Sequence, residues 1–201
     1  MNIRHYSMIL MVLMAFSCQD DATKREAEKQ KDIKKKEAVF TVINNAWNFP
    51  ERPLNPQTQA LISNWGEWRL FLTDLHQKPK SSISAFKQKS IILAKRANDL
   101  NNNIPPKFSK PEIKARIAAL VSKVRSLDLY INLQDIPAEK IPVLVAEINT
   151  EILSLTSQME EIIIVEQIPL EQGESDMIKM LDTSRAIPSS KPQHNIYKQI
   201  N

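Results

Sequence analysis

Glycine is almost missing from this chain of 201 residues, with only Gly66 and Gly173 present. That excludes phosphate-cradling loops of the GxGxxG or GxxxxGK[ST] kind, which need several glycines close together so that backbone can approach phosphate. Cysteine is rarer still: Cys18 stands alone, so neither an intramolecular disulfide nor a thiolate metal site is expected. His5, His76 and His194 are far apart, and neither HExxH nor the Glu-x-x-His spacing of carboxylate-bridged di-iron bundles occurs. No GxSxG nucleophile elbow is present either. These absences predict no catalytic residue, no metal and no cofactor, and the chain reads as a non-enzyme.

What is present begins at the N-terminus. Arg4 and His5 precede an unbroken apolar run from Met8 to Phe16, followed by Ser17 and Cys18. A charged start, a short apolar stretch and small residues before a cleavage point make an export signal. Nine apolar residues are too few to span a bilayer, which takes about 20 in a helix. Gln19, Asp20, Asp21 and a dense charge run then follow at once, which disfavours a buried core helix. Residues 1–17 are therefore expected to be a cleaved signal peptide.

Ala15-Phe16-Ser17-Cys18 resembles the lipobox of bacterial lipoproteins, where an apolar stretch ends in a small residue before a Cys that becomes lipidated. The usual pattern starts with Leu and has a small residue two before the Cys; Ala15 and Phe16 hold those places here. The resemblance covers only the first twenty or so residues. It implies that Cys18 becomes the acylated, palmitate-bearing N-terminus and anchors the chain in a membrane. It further implies that Gln19, Asp20 and Asp21 act as a sorting signal, similar to the surface-export signal of some Gram-negative lipoproteins. The location it implies is the outer membrane, facing periplasm or cell surface. Stable anchoring takes more than one acyl chain, each methylene contributing about 0.8 kcal/mol.

Charge is strongly segregated. Between Leu75 and Leu127 twelve Lys/Arg face two acids, whereas between Asp135 and Ser184 eleven acids face two Lys. Gln19–Glu37 mixes seven basic with six acidic residues. Two oppositely charged blocks in one chain are expected to pair across a bundle, with Lys87, Lys89, Lys95 and Arg96 reaching the Glu147–Glu166 face. A nucleic-acid site is not expected, because the basic block lacks interleaved aromatics for stacking on bases.

Twelve prolines take over the punctuating role of glycine, and between them apolar residues recur at helical spacing. The stripes are Leu61, Trp65, Trp68, Leu72, Leu75; then Ile83, Phe86, Ser90, Leu93, Ala97, Leu100, Ile104; then Ile113, Ile117, Leu120, Val124, Leu127, Ile131. The last runs Ile141, Leu144, Ile148, Ile152, Leu155, Met159, Ile162. Asn55 and Pro56 suit the N-cap and first helical position, and Ser109 with Glu112 fits a capping box. The expected fold is all-α: an up-down antiparallel bundle of four long helices over 55–76, 82–102, 110–133 and 138–167. Ile33, Phe40, Ile43 and Trp47 predict a fifth, N-terminal helix. The expected organisation is 1–17 signal peptide, 18–37 lipidated N-terminus and charged stalk, 38–186 bundle and 187–201 disordered tail. Met177, Met180 and Leu181 predict a short last helix folding back.

Trp65-Gly66-Glu67-Trp68-Arg69 is the most unusual local sequence. Two rings three residues apart on one helix face most often make core. A glycine in mid-helix costs up to about 1 kcal/mol against Ala, so something is expected to approach closely there. Trp65, Gly66 and Trp68 are thus candidates for core or for partner contact. The functional expectation is a scaffold or interaction subunit of an outer-membrane-associated complex, with an unidentified envelope protein as partner. The alternative is a module holding a small apolar ligand between helices.

Overall fold

The structure, a computed structural model, describes residues 19–169 and Gly173. It divides into two compact units, Met1–Ile163 and Ile164–Asn201; the core and the clefts belong to the first. The described residues are helical, without a strand: α1 (Gln19–Ala46), α2 (Pro56–Ile62), α3 (Gly66–His76), α4 (Ile83–Asp99), α5 (Pro111–Asn132) and α6 (Lys140–Gln167), with a short 3-10 turn at Pro106–Phe108. The expected short helix around Met177–Leu181 and the tail 187–201 lie outside the described residues.

The apolar stripes are what the helices bury. Trp65, Trp68, Leu75, Phe86, Leu93, Ala97, Leu100, Ile113, Ile117, Leu120, Val124, Leu127, Ile131, Ile141, Leu144, Ile148, Leu155, Met159 and Ile162 all sit in one core. Ile83, Ile104 and Ile152 are half-buried. Each fully buried aliphatic side chain contributes about 1.5–3 kcal/mol, so the helices hold together through this face and not through propensity.

Of the two caps the sequence predicts, one forms and one does not, and a third starts α4. Asn55 Oδ1 accepts from the Thr58 N–H at 2.7 Å, with Pro56 in the first turn of α2. Ser82 Oγ accepts from the Ala85 N–H to start α4. The Ser109–Glu112 capping box, however, does not form. Pro111 opens α5, Lys110 takes the cap position without a side-chain bond, and Ser109 ends the preceding 3-10 turn. Proline's fixed φ places it at the first helical position, which leaves Ser109 one residue too early to cap.

The helix expected over 55–76 is two helices. α2 ends at Ile62, the Trp65 N–H donates to the Ile62 carbonyl at 2.9 Å, and α3 restarts at Gly66. Ser63 and Asn64 favour local turns over helix interior, and the glycine that follows lowers the cost of breaking there.

Cross-links give the helix pairs their sense. Ser90 Oγ meets Asp128 Oδ1 at 2.8 Å and Arg125 Nη2 donates to Asn98 Oδ1 at 2.7 Å, so α4 and α5 run antiparallel. Arg116 donates to Ser154 and Gln158, and Lys123 Nζ lies 3.2 Å from Glu147 Oε2, so α5 and α6 also oppose each other.

The named charge pairing needs correction. Lys89 Nζ and Arg96 Nε bind Asp74 of α3, at 3.1 and 2.9 Å, and Lys87 Nζ donates to the Leu133 carbonyl at 3.1 Å, just past the end of α5. α4 packs on α3 and α5, so Lys87, Lys89 and Arg96 meet partners there and not on α6, while Lys95 is exposed. Of the acids of α6, Glu147 is met instead by Lys123 of α5 and Glu160 by Arg52. Residues 22–38 of α1, Ile33 among them, are all exposed; burial starts at Val39 and Phe40 and is complete at Ile43 and Trp47. Phe40 and Trp47 pack their rings against Phe86 of α4, at 6.0 and 5.1 Å.

Candidate functional site

Cys18 lies outside the described residues. The backbone of Gln19, Asp20 and Asp21 forms the first turn of α1. At the other end of the exposed stretch, Lys35 Nζ pairs with Asp135 Oδ1 at 2.8 Å. Their mutual hydrogen bond and attraction raise the Lys35 pKa and lower that of Asp135. Both groups are well exposed, so the pair orients the helix more than it stabilises it.

Trp65 and Trp68 are 0% and 1% exposed, with rings stacked 5.7 Å apart and only 19° from parallel. Trp65 Nε1 donates to the Asn102 carbonyl at 3.1 Å, tying α3 to the end of α4. The two rings are core. Gly66 opens α3 instead of lying in mid-helix, and a Cβ placed there meets nothing within 4 Å. No close approach requires glycine at this position.

The side-chain constellation with most chemical character lies beside these rings. Pro50, Pro53 and Pro56 keep the segment between α1 and α2 out of helix, and Arg52 crosses from it to α6. Arg52 Nη1 donates to Ser157 Oγ at 2.8 Å, and Nη2 lies 3.4 Å from Glu160 Oε2. Glu160 Oε1 accepts from the Asn55 N–H at 2.8 Å, so a single carboxylate latches both the segment and the start of α2. A cleft of about 560 Å³ opens between residues 50–54, α2, α3 and mid-α6. Leu54, Trp68, Leu72, Leu75 and Ile152 supply its apolar wall; Glu51, Arg52, Arg69 and His76 bring charge or polarity. His76 Nδ1 lies 3.4 Å from Glu51 Oε1. Arg69 is exposed and has no partner among the described residues. The Trp68 indole N–H is buried without a hydrogen-bond partner, as are the Trp47 indole and the Thr58 hydroxyl. A buried donor left in this state costs about 1–3 kcal/mol.

Two further clefts carry less. One of about 560 Å³, where α1 meets the start of α4 and the α5–α6 link, is lined by Lys35, Lys36, Lys87, Asp32 and Asp135. Its charges are largely spent on one another or on backbone carbonyls. The other, about 460 Å³, runs along α5 past Ala118, Ser122 and Leu129. Among the described residues no three His, Cys, Asp or Glu side chains are placed to hold a metal ion. None of the described helices is long and apolar enough to cross a membrane.

Sequence reasoning singled out the tryptophans but did not bring Arg52, Glu160 and Arg69 together at one place in the fold. The spaced prolines were the available signal, since they force an irregular segment that must then be tied down. Compared with known protein families, curated proteins and solved structures, the chain finds no match.

Proposed function

We propose that this chain is a lipid-anchored cell-envelope protein, a non-enzymatic interaction or scaffold subunit of an outer-membrane-associated complex. Cys18 carries the acyl chains, and Gln19, Asp20 and Asp21 direct sorting. The observation that supports this reading best is the course of α1. It begins one residue after Cys18, stays exposed over residues 22–38, and enters the core only at Ile43. The exposed stretch of that helix, residues 22–38, spans about 25 Å at 1.5 Å per residue. It suits a stalk that holds a folded body away from its anchor. The body is read as an up-down antiparallel bundle of α3 to α6, joined by α1 as a fifth helix. Exposed Ile91, Ile92, Leu129, Val143 and Leu153 offer apolar contact area on its outside for an envelope partner.

Intact-mass analysis of protein purified from bacterial envelopes, with detergent phase partition, tests the anchor. The expected result is a chain starting at a multiply acylated Cys18 that enters the detergent phase. An unmodified N-terminus at another residue would falsify the reading.

A further inference from the structure

We propose that the cleft between residues 50–54, α3 and mid-α6 is a binding site for a short zwitterionic peptide, about three residues long, with free ends and an apolar centre. The inference stands independently of the lipid anchor. The cleft volume of about 560 Å³ falls within the ordinary range of small-molecule sites, about 300–1,000 Å³.

The class of ligand follows from the order of groups along one face of α3. Arg69, Leu72 and His76 line the cleft three and four residues apart, so a cation, an apolar side chain and an imidazole succeed one another a turn apart. Glu51 sits at the imidazole, its Oε1 3.4 Å from His76 Nδ1. While His76 is neutral, nothing among the described residues compensates that carboxylate, and Arg69 has no partner there either. Arg52, the other cation on the cleft, is bound by Glu160. The cleft therefore has one positive and one negative end. Half-buried Leu54 and Ile152 add to the apolar wall around Leu72.

Seven residues of helix separate Arg69 from His76, about 10 Å along the axis. An extended tripeptide spans about the same length, at roughly 3.3–3.6 Å per residue. Both charged side chains are exposed, so water solvates them without a ligand and neither alone selects one. A purely anionic ligand would meet Glu51, and a purely cationic one would meet Arg69. A peptide laid along α3 avoids both conflicts. Its carboxylate meets the guanidinium fork, its ammonium meets Glu51, and its central side chain covers apolar wall between them.

Residues 18–201 carrying C18S contain every described element and can be handled without detergent. At pH 8, where imidazole side chains are ordinarily neutral, Ala-Leu-Ala is titrated against this chain while the methyl signals of Leu72 and Ile152 are followed by NMR. The N-acetylated tripeptide, the C-amidated tripeptide and the dipeptide Ala-Leu serve as comparators. The free tripeptide is expected to bind saturably and to shift both signals. Each comparator should bind about threefold weaker, the ordinary effect of one exposed charge pair. In E51Q acetylation should cost no affinity, and in R69A amidation should cost none, with the melting temperature of both variants unmoved. No saturable shift, a comparator that binds as well as the free tripeptide, or a loss that persists in the matching variant would each overturn the proposal.

Discussion

Replacing Gly66 by Ala should make this protein more stable, although a glycine between two core tryptophans invites the opposite expectation. Gly66 is the first residue of α3, and a methyl group added there meets nothing within 4 Å. Its φ is not in the left-handed region, so alanine adopts the same backbone without strain. What changes is the unfolded chain, which loses the extra freedom of glycine; at compatible sites this stabilises by about 0.4–1 kcal/mol. For a chain of this size each kcal/mol moves the melting temperature by about 2–4 °C, so G66A should melt about 1–4 °C higher. Thermal unfolding followed by circular dichroism, with parent and variant side by side, resolves such a shift. A melting temperature lowered by the methyl group would mean that a neighbour does need the space, and the account of α3 starting at Gly66 would fail.

Two other perturbations probe the core and its electrostatics. Leu120 is wholly buried between α5 and its neighbours, so L120D places an unpaired charge in the core. A loss of about 4 kcal/mol or more and collapse of the cooperative melt are expected, and a variant as stable as the parent would refute the packing. Burial pushes the Asp74 carboxyl pKa up, but hydrogen bonds and charge from Arg96 and Lys89 outweigh it and hold the pKa below its ordinary 3.8. The stability gained is therefore complete above the unfolded value and lost as pH falls through the lower folded one. The gap in melting temperature between parent and D74N should stay constant above about pH 5 and shrink as acid takes the solution below that value. A gap indifferent to acid would show that the triad contributes nothing through its charge.

Much of the architecture could be read before any coordinates, because helix burial is periodic and periodicity is local. The stripes from Phe86 to Leu100 and from Ile113 to Ile131 depend only on a repeat near 3.6 residues, and both are buried. The break between Ile62 and Gly66 was not legible: the apolar steps Leu61, Trp65, Trp68 continue through it as if the helix were whole. Charge partners were misassigned for a different reason. The sequence shows that α4 is basic and α6 acidic, but not that α3 and α5 are the helices packed on α4. The cleft was invisible on similar grounds, since Arg52, Arg69 and Ile152 converge from three separate stretches. Residue types announce that a charge exists; only the packing decides which one is left unpaired.

The unbroken run of α1 from Gln19 into the core at Ile43 makes chain length and compass bearing inseparable. Along a continuous helix each inserted residue adds 1.5 Å of height and about 100° of rotation. One residue added between 22 and 38 would turn whatever face the core presents by more than a quarter circle relative to the N-terminal end. Seven would nearly restore the bearing while lifting the core by about 10 Å. A coil of the same length would transmit neither quantity. As one continuous helix, the charged stretch therefore fixes azimuth as well as distance along its own axis.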